Sequence, residues 1–167
     1  MHWLLLALSA LAPYAAWDEV PLTSPFSRVR ALDRDVAAAV ADGLRRSPTF
    51  ARLVAALNRS DVIVYIEMVH TLPPTTSGRM VLTTKDNRFR YVRIQVASRL
   101  FPAELIAVLG HELQHAVEVA AQPHGRPDRT SAMTADETPA AVSVGAQVRR
   151  ELDRFERPLD GGRARRP

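Results

Sequence analysis

Apolar side chains recur along this chain with two periods. Leu105, Leu109, Leu113, Ala116 and Ala120 repeat every three or four residues between Pro102 and Ala121, a stretch without internal proline, and this predicts one amphipathic helix. Pro102 suits its first turn, where a missing N–H costs nothing, and Gln122-Pro123-His124-Gly125 supplies the stop. The same period predicts a helix over Val29 to Leu44, with Val29, Leu32, Val36, Val40 and Leu44 as its stripe. Ser47 is the natural N-cap of the next helix, Pro48 to Asn58, which turns Phe50, Leu53, Val54 and Leu57 inward. A last helical run, Glu137 to Glu156, follows Asp136 as N-cap and carries Pro139 in its first turn. Its Val144, Val148, Leu152 and Phe155 are placed to meet the Pro102 to Ala121 helix.

The second period belongs to strands. Asp61 to Val69 is rich in β-branched residues and predicts a buried strand. Gly78 to Thr84 and Arg88 to Val96 follow, joined by Lys85-Asp86-Asn87 as a hairpin turn. Arg88, Arg90 and Arg93 interrupt the second of these, which predicts a wet face or an edge. Thr71 to Ser77 reads as a surface loop that borders a cleft. The expected fold is therefore α+β: a small, mostly antiparallel sheet of three or slightly more strands against the Pro102 to Ala121 helix, with helices before and after it. Residues 26–156 suffice for one core but not for a second catalytic domain.

The chemistry sits on the central helix. His111-Glu112-Leu113-Gln114-His115 places two imidazoles four residues apart, hence on one face and about a turn apart, where they can share one ion. Zinc (Zn2+) held by two histidines and one further protein ligand keeps a position open for water, and a neighbouring glutamate can accept that water's proton. Glu112 falls at the margin of the apolar arc beside Val108, Ala116 and Val119. Partial removal from water raises a carboxylate's pKa towards the range useful for a general base. Two acids compete for the third ligand. Glu118 shares the histidine face but must reach back along the helix, whereas Glu137 arrives from a separate segment and closes the site without straining one helix. In a bland reading Glu137 is a first-turn acid that complements the helix dipole. Glu118 then becomes a partner that orients or ion-pairs a ligand.

His111-Glu112-x-x-His115 followed by Glu137 on a new helix resembles the gluzincin branch of the zincin metallopeptidases, to which thermolysin belongs. The resemblance spans roughly Asp61 to Phe155. It implies a zincin-like fold in which His111, His115 and Glu137 ligate zinc, Glu112 activates water, and an exposed sheet edge above the metal receives an extended peptide. Members similar to thermolysin carry an aspartate four residues after the third ligand, where this chain has Ala141. Tyr91 and His124 are the available candidates for stabilising an oxyanion. The chain is short for such an enzyme, which points to a reduced version or one whose substrate selection depends on a partner.

Composition and chain ends complete the picture. The 167 residues contain no cysteine, which excludes disulfides, thiolate chemistry and cysteine-ligated zinc fingers. The net charge of +4 is carried by arginine, with Lys85 the only lysine. Those arginines are scattered without aromatic interleaving, so no specific nucleic-acid partner is expected; the basic tail, residues 157–167, reads as disordered and able to contact an envelope or membrane surface weakly. Trp3 to Leu11 has the length of a signal-peptide hydrophobic region and is short for a bilayer span, and Ala15-Ala16 before Trp17 offers small residues for cleavage. Residues 1–16 therefore predict an exported protein, although the usual basic start is missing; a buried or membrane-touching helix is the competing reading. The sequence thus predicts an exported zinc metallopeptidase acting on a peptide or protein substrate. From other classes, a non-catalytic exported zinc-binding protein and a basic peripheral protein without metal stand beside it.

Overall fold

The computed structural model describes residues 27–123 and 137–156. Along them run β1 (Val29–Ala31), α1 (Arg34–Arg46), α2 (Pro48–Asn58), β2 (Val62–Val69), β3 (Gly78–Lys85), β4 (Arg90–Ala97), α3 (Pro102–Ala121) and α4 (Pro139–Glu156). The class is α+β, as expected, but the sheet is not the mostly antiparallel three-stranded one. Its order is β1-β2-β4-β3, and both β1–β2 and β2–β4 are parallel. Only the β3–β4 hairpin is antiparallel. The correction has a physical source: the hairpin is written in local turn chemistry, whereas β2 skips past β3 to pair with β4, and such a non-local pairing leaves no local mark.

Side chains explain which face the helices cover. Val62, Val64 and Ile66 of β2 and Val92, Ile94 and Val96 of β4 are fully buried in one core with Phe50, Leu57, Leu109 and Leu113. On the other face several alternate residues form a polar lattice instead. Gln95 Nε2 donates to Glu67 Oε1 at 2.5 Å, Arg79 Nε to Gln95 Oε1 at 2.7 Å and Arg30 Nη1 to the Tyr65 hydroxyl at 2.9 Å.

Helix predictions fared unevenly. Ser47 Oγ accepts from the Phe50 N–H at 3.0 Å, so α2 begins where its cap and proline require. Val29, expected in a helix, lies in β1 and pairs with Val64; helix begins only at Arg34, and Leu32 is left exposed. Leu44 and Phe155 are exposed as well, while Val148 and Leu152 of α4 are buried as foreseen. Arg90 is not a wet residue. Its guanidinium is buried, pairs with Asp61 and donates to the carbonyls of Val119, Ala120 and Gln122, closing the C-terminus of α3.

Asp136 and the segments 1–16 and 157–167 lie outside the described residues. No helix among the described residues is long and apolar enough to cross a membrane.

Candidate metal centre

Helices α3 and α4 approach closely because glycines face the partner helix. A Cβ on Gly110 would lie 2.8 Å from Val148 Cγ2, and one on Gly145 would lie 3.2 Å from His111 Cβ. The helices run antiparallel: Thr138 meets Glu118, and Gly145 meets His111 and Ala107. This brings the start of α4 beside the two histidines.

Thr138 is the observed cap of α4. Its Oγ1 accepts from the Ala141 N–H at 3.1 Å, and its carbonyl from the Val142 N–H at 3.1 Å. Glu137 therefore precedes the helix and is not the first-turn acid of the bland reading. From there its Oε1 lies 3.4 Å from His111 Nε2, and the Nε2 atoms of His111 and His115 are 3.2 Å apart. Ligand atoms of His111, His115 and Glu137 all fall within 4.8 Å of one another. Donors bound tetrahedrally at about 2.1 Å from zinc stand about 3.4 Å apart, so two of the three spacings already suit one ion.

The remaining ring nitrogen of His115 is held by the protein. Glu118 Oε2 lies 3.3 Å from His115 Nδ1. The other oxygen of Glu118 accepts from Thr138 Oγ1 at 2.9 Å and from Gln114 Nε2 at 3.2 Å. One carboxylate thus ties the second histidine to the cap of α4, one residue from Glu137. Burial pushes Glu118 up, but the hydrogen bonds from Thr138, Gln114 and His115 outweigh it and hold the group below the usual range. No carboxylate among the described residues plays this part for His111; the main chain of Ala141 only weakly favours its protonated form. Burial is the main force lowering the His111 pKa, with repulsion from His115 adding to it, so the ring favours the neutral form that a metal ligand needs.

Glu112 is buried to 5% exposure, and no ion pair or hydrogen bond reaches its carboxylate among the described residues. Burial first, and then the charge of Glu137, raise its pKa to about 7. Gly78 at the start of β3 closes over it: a Cβ there would stand 2.9 Å from Glu112 Oε1 and 2.7 Å from Val108 Cγ1. His111, Glu137 and Glu112 open into a cleft of about 530 Å³, walled by Thr75, Thr76 and Ser77 on one side and by Gly145, Ala146 and Arg149 on the other, while His115 lies buried behind them. The loop before β3 borders the cleft, as its composition foretold. Arg99 holds that loop through the carbonyls of Pro73, Pro74 and Thr76.

Tyr91 does not line this cleft. Its hydroxyl donates to Asp86 Oδ2 at 3.0 Å beside the β3–β4 turn, which withdraws it as an oxyanion donor. His124 lies outside the described residues. Sequence reasoning missed Thr138, Gly78, Gly145 and Arg149. The available signals were Thr-Pro at a helix start and a glycine inside a helix, where it is unfavourable unless a neighbour comes close. No family model, curated protein or solved structure matches this chain.

Proposed function

We propose that the protein is a zinc-dependent peptidase built as a reduced, zincin-like single domain. The observation that carries this reading is the convergence of His111, His115 and Glu137 donors within 4.8 Å, beside a buried, unpaired Glu112 at an open cleft. His111, His115 and Glu137 would hold the metal, and a bound zinc supplies Lewis acidity towards a carbonyl and a water molecule. The protein's own groups do the rest. Glu118 orients the His115 imidazole, and Glu112, poised near neutrality, takes the proton from water and returns it to the leaving amine. Gly78 and Val108 keep that carboxyl out of bulk water. Strand β3 pairs only with β4 among the described residues, so its free edge beside Glu112 supports the expected seat for an extended substrate.

The non-catalytic alternative requires Glu112 as a structural ion-pair partner, and no cation pairs with it among the described residues. Export, expected from the apolar run Trp3 to Leu11, is a separate proposal. The test begins with metal. The full chain binds about one zinc per molecule and cleaves a peptide library, a chelator stops cleavage, and Glu137→Ala weakens zinc affinity at least about 100-fold. Unchanged zinc binding in Glu137→Ala, or a zinc-loaded protein that cleaves nothing in the library, rejects the proposal.

A further inference from the structure

The cleft contains one charged group that neither the metal donors nor Glu112 accounts for. Arg149 of α4 is the one cationic side chain lining it among the described residues, and no acid or hydrogen-bond acceptor there engages it. The arginines around it are occupied elsewhere: Arg90 by Asp61 and the end of α3, Arg99 by the loop carbonyls and Arg150 by Gln147; what sets Arg149 apart is its place in the cleft.

Helix geometry places Arg149 relative to the metal donors. Gly145 packs on His111, and Arg149 lies four residues further along α4, on the same face and about 6 Å along its axis. Because α4 runs antiparallel to α3, that step leads away from Glu137 and towards the start of α3. Only Gly145 and Ala146 line the α4 wall between, so no long side chain of α4 separates the guanidinium from the donors. The facing wall of Thr75, Thr76 and Ser77 is uncharged.

We propose that Arg149 is a substrate-binding residue that pairs with a carboxylate of the peptide. The peptidase proposed above would then prefer substrates carrying an anionic group about two residues from the scissile bond. An extended chain advances about 3.3 Å per residue, so two residues span the 6 Å step. A guanidinium binds carboxylate through two parallel N–H···O bonds, which selects an acid over an amide. The carboxylate can be an Asp or Glu side chain or the C-terminus itself; both present the same two oxygens. The inference rests on the peptidase reading but concerns binding, so the two can fail separately.

Three alanine-rich pentapeptides bearing an uncharged fluorophore separate the cases: one with an internal glutamate and an amidated end, one with a free C-terminal carboxylate and no acid, and one with neither; an amidated peptide with an internal lysine serves the charge-reversal variant. Affinity is read by anisotropy on the full chain, zinc-free and as zinc-loaded Glu112→Gln, and KM and kcat on the zinc-loaded wild type. At least one acidic peptide binds about tenfold more tightly than the neutral one, and the free-carboxylate peptide shows which source is used. Arg149→Ala abolishes the preference through KM with kcat and zinc content unchanged, Arg149→Lys restores part of it, and Arg149→Glu shifts it to a lysine-bearing peptide. Equal affinity for all three peptides while cleavage proceeds overturns the role of Arg149 and leaves the peptidase intact. So does a preference that survives in Arg149→Ala. A zinc-loaded wild type that neither binds nor cleaves any of them overturns both.

Discussion

Glu112 on α3 and Glu151 on α4 are the same chemical group at two helix junctions, and the fold drives them in opposite directions. At Glu151 burial alone would raise the pKa, but donors from Ser47, Gln147 and Thr49 outweigh it and hold the carboxyl at about 2. Ser47 Oγ donates to Oε2 at 2.5 Å, the Thr49 N–H to Oε2 at 3.0 Å, and Thr49 Oγ1 and Gln147 Nε2 to Oε1 at 2.8 Å each. At Glu112 no donor arrives, burial dominates, and the carboxyl rises to about 7. A carboxylate whose lone pairs are filled by the protein is a clasp between helices. One withheld from water without partners remains free to accept a proton from something that enters the cleft.

The sharpest way to break this contrast is to neutralise each acid in turn. Glu112→Gln keeps the shape and removes the proposed base, so kcat is expected to fall by about 10²–10⁴ while zinc affinity stays within a few-fold of wild type. Glu151→Gln leaves kcat within about twofold, because the clasp does not touch the cleft. Peptide hydrolysis and zinc titration on both variants check this. If Glu112→Gln retained turnover, the distinction between base and clasp would be lost.

The same contrast shows what the sequence could and could not reveal. The spacing of His111, Glu112 and His115 and the apolar arc of α3 placed Glu112 at the buried margin, because a helix converts spacing into direction without outside help. Helix α2 was legible to the residue, since Ser47 and Pro48 fix its start by local chemistry. Strand β1 was not, because Val29 continues a helical spacing and becomes a strand only through its parallel ladder with Val64. Asp33 illustrates the same override: it stands at the N-cap of α1, yet its side chain accepts from the Met68 N–H at 2.8 Å. Arg90 read as solvated because charge in a strand usually is, and only the tertiary fold brings the end of α3 to it. The Glu118–Thr138 contact and the place of Arg149 depend on how α3 and α4 dock, a property of neither helix alone.

A smaller perturbation sharpens the comparison without touching either acid. Gly78→Ala puts a methyl 2.7 Å from Val108 Cγ1 and 2.9 Å from Glu112 Oε1, closer than packed atoms tolerate, and the carboxyl end is the flexible partner. Displaced by part of an ångström, Glu112 loses alignment, and kcat falls about tenfold with KM and zinc content little changed. Steady-state kinetics separate this from general damage to the fold, which would lower zinc content and kcat together. Unaltered kcat would mean that the start of β3 does not set the position of the base.

The smallest effect expected is on stability, and it belongs to the clasp. The folded pKa of Glu151, about 2, lies below the ordinary value of 4.5, so its stabilisation is complete above pH 4.5 and is lost as pH falls from there towards 2. Because the group is partly solvated, its net worth is about 1 kcal/mol after screening. Glu151→Gln lowers the urea midpoint at pH 6 by the corresponding amount, and the gap between variant and wild type narrows by more than half at pH 3. Zinc-free Glu112 gives the opposite sign: its raised pKa makes the wild type lose stability as pH climbs from 4.5 to 7, a loss that Glu112→Gln lacks. Urea titrations of the zinc-free proteins at pH 3, 5, 6 and 8 read both slopes. Slopes of the same sign in the two variants would show that hydrogen-bond saturation does not set these two carboxyls apart.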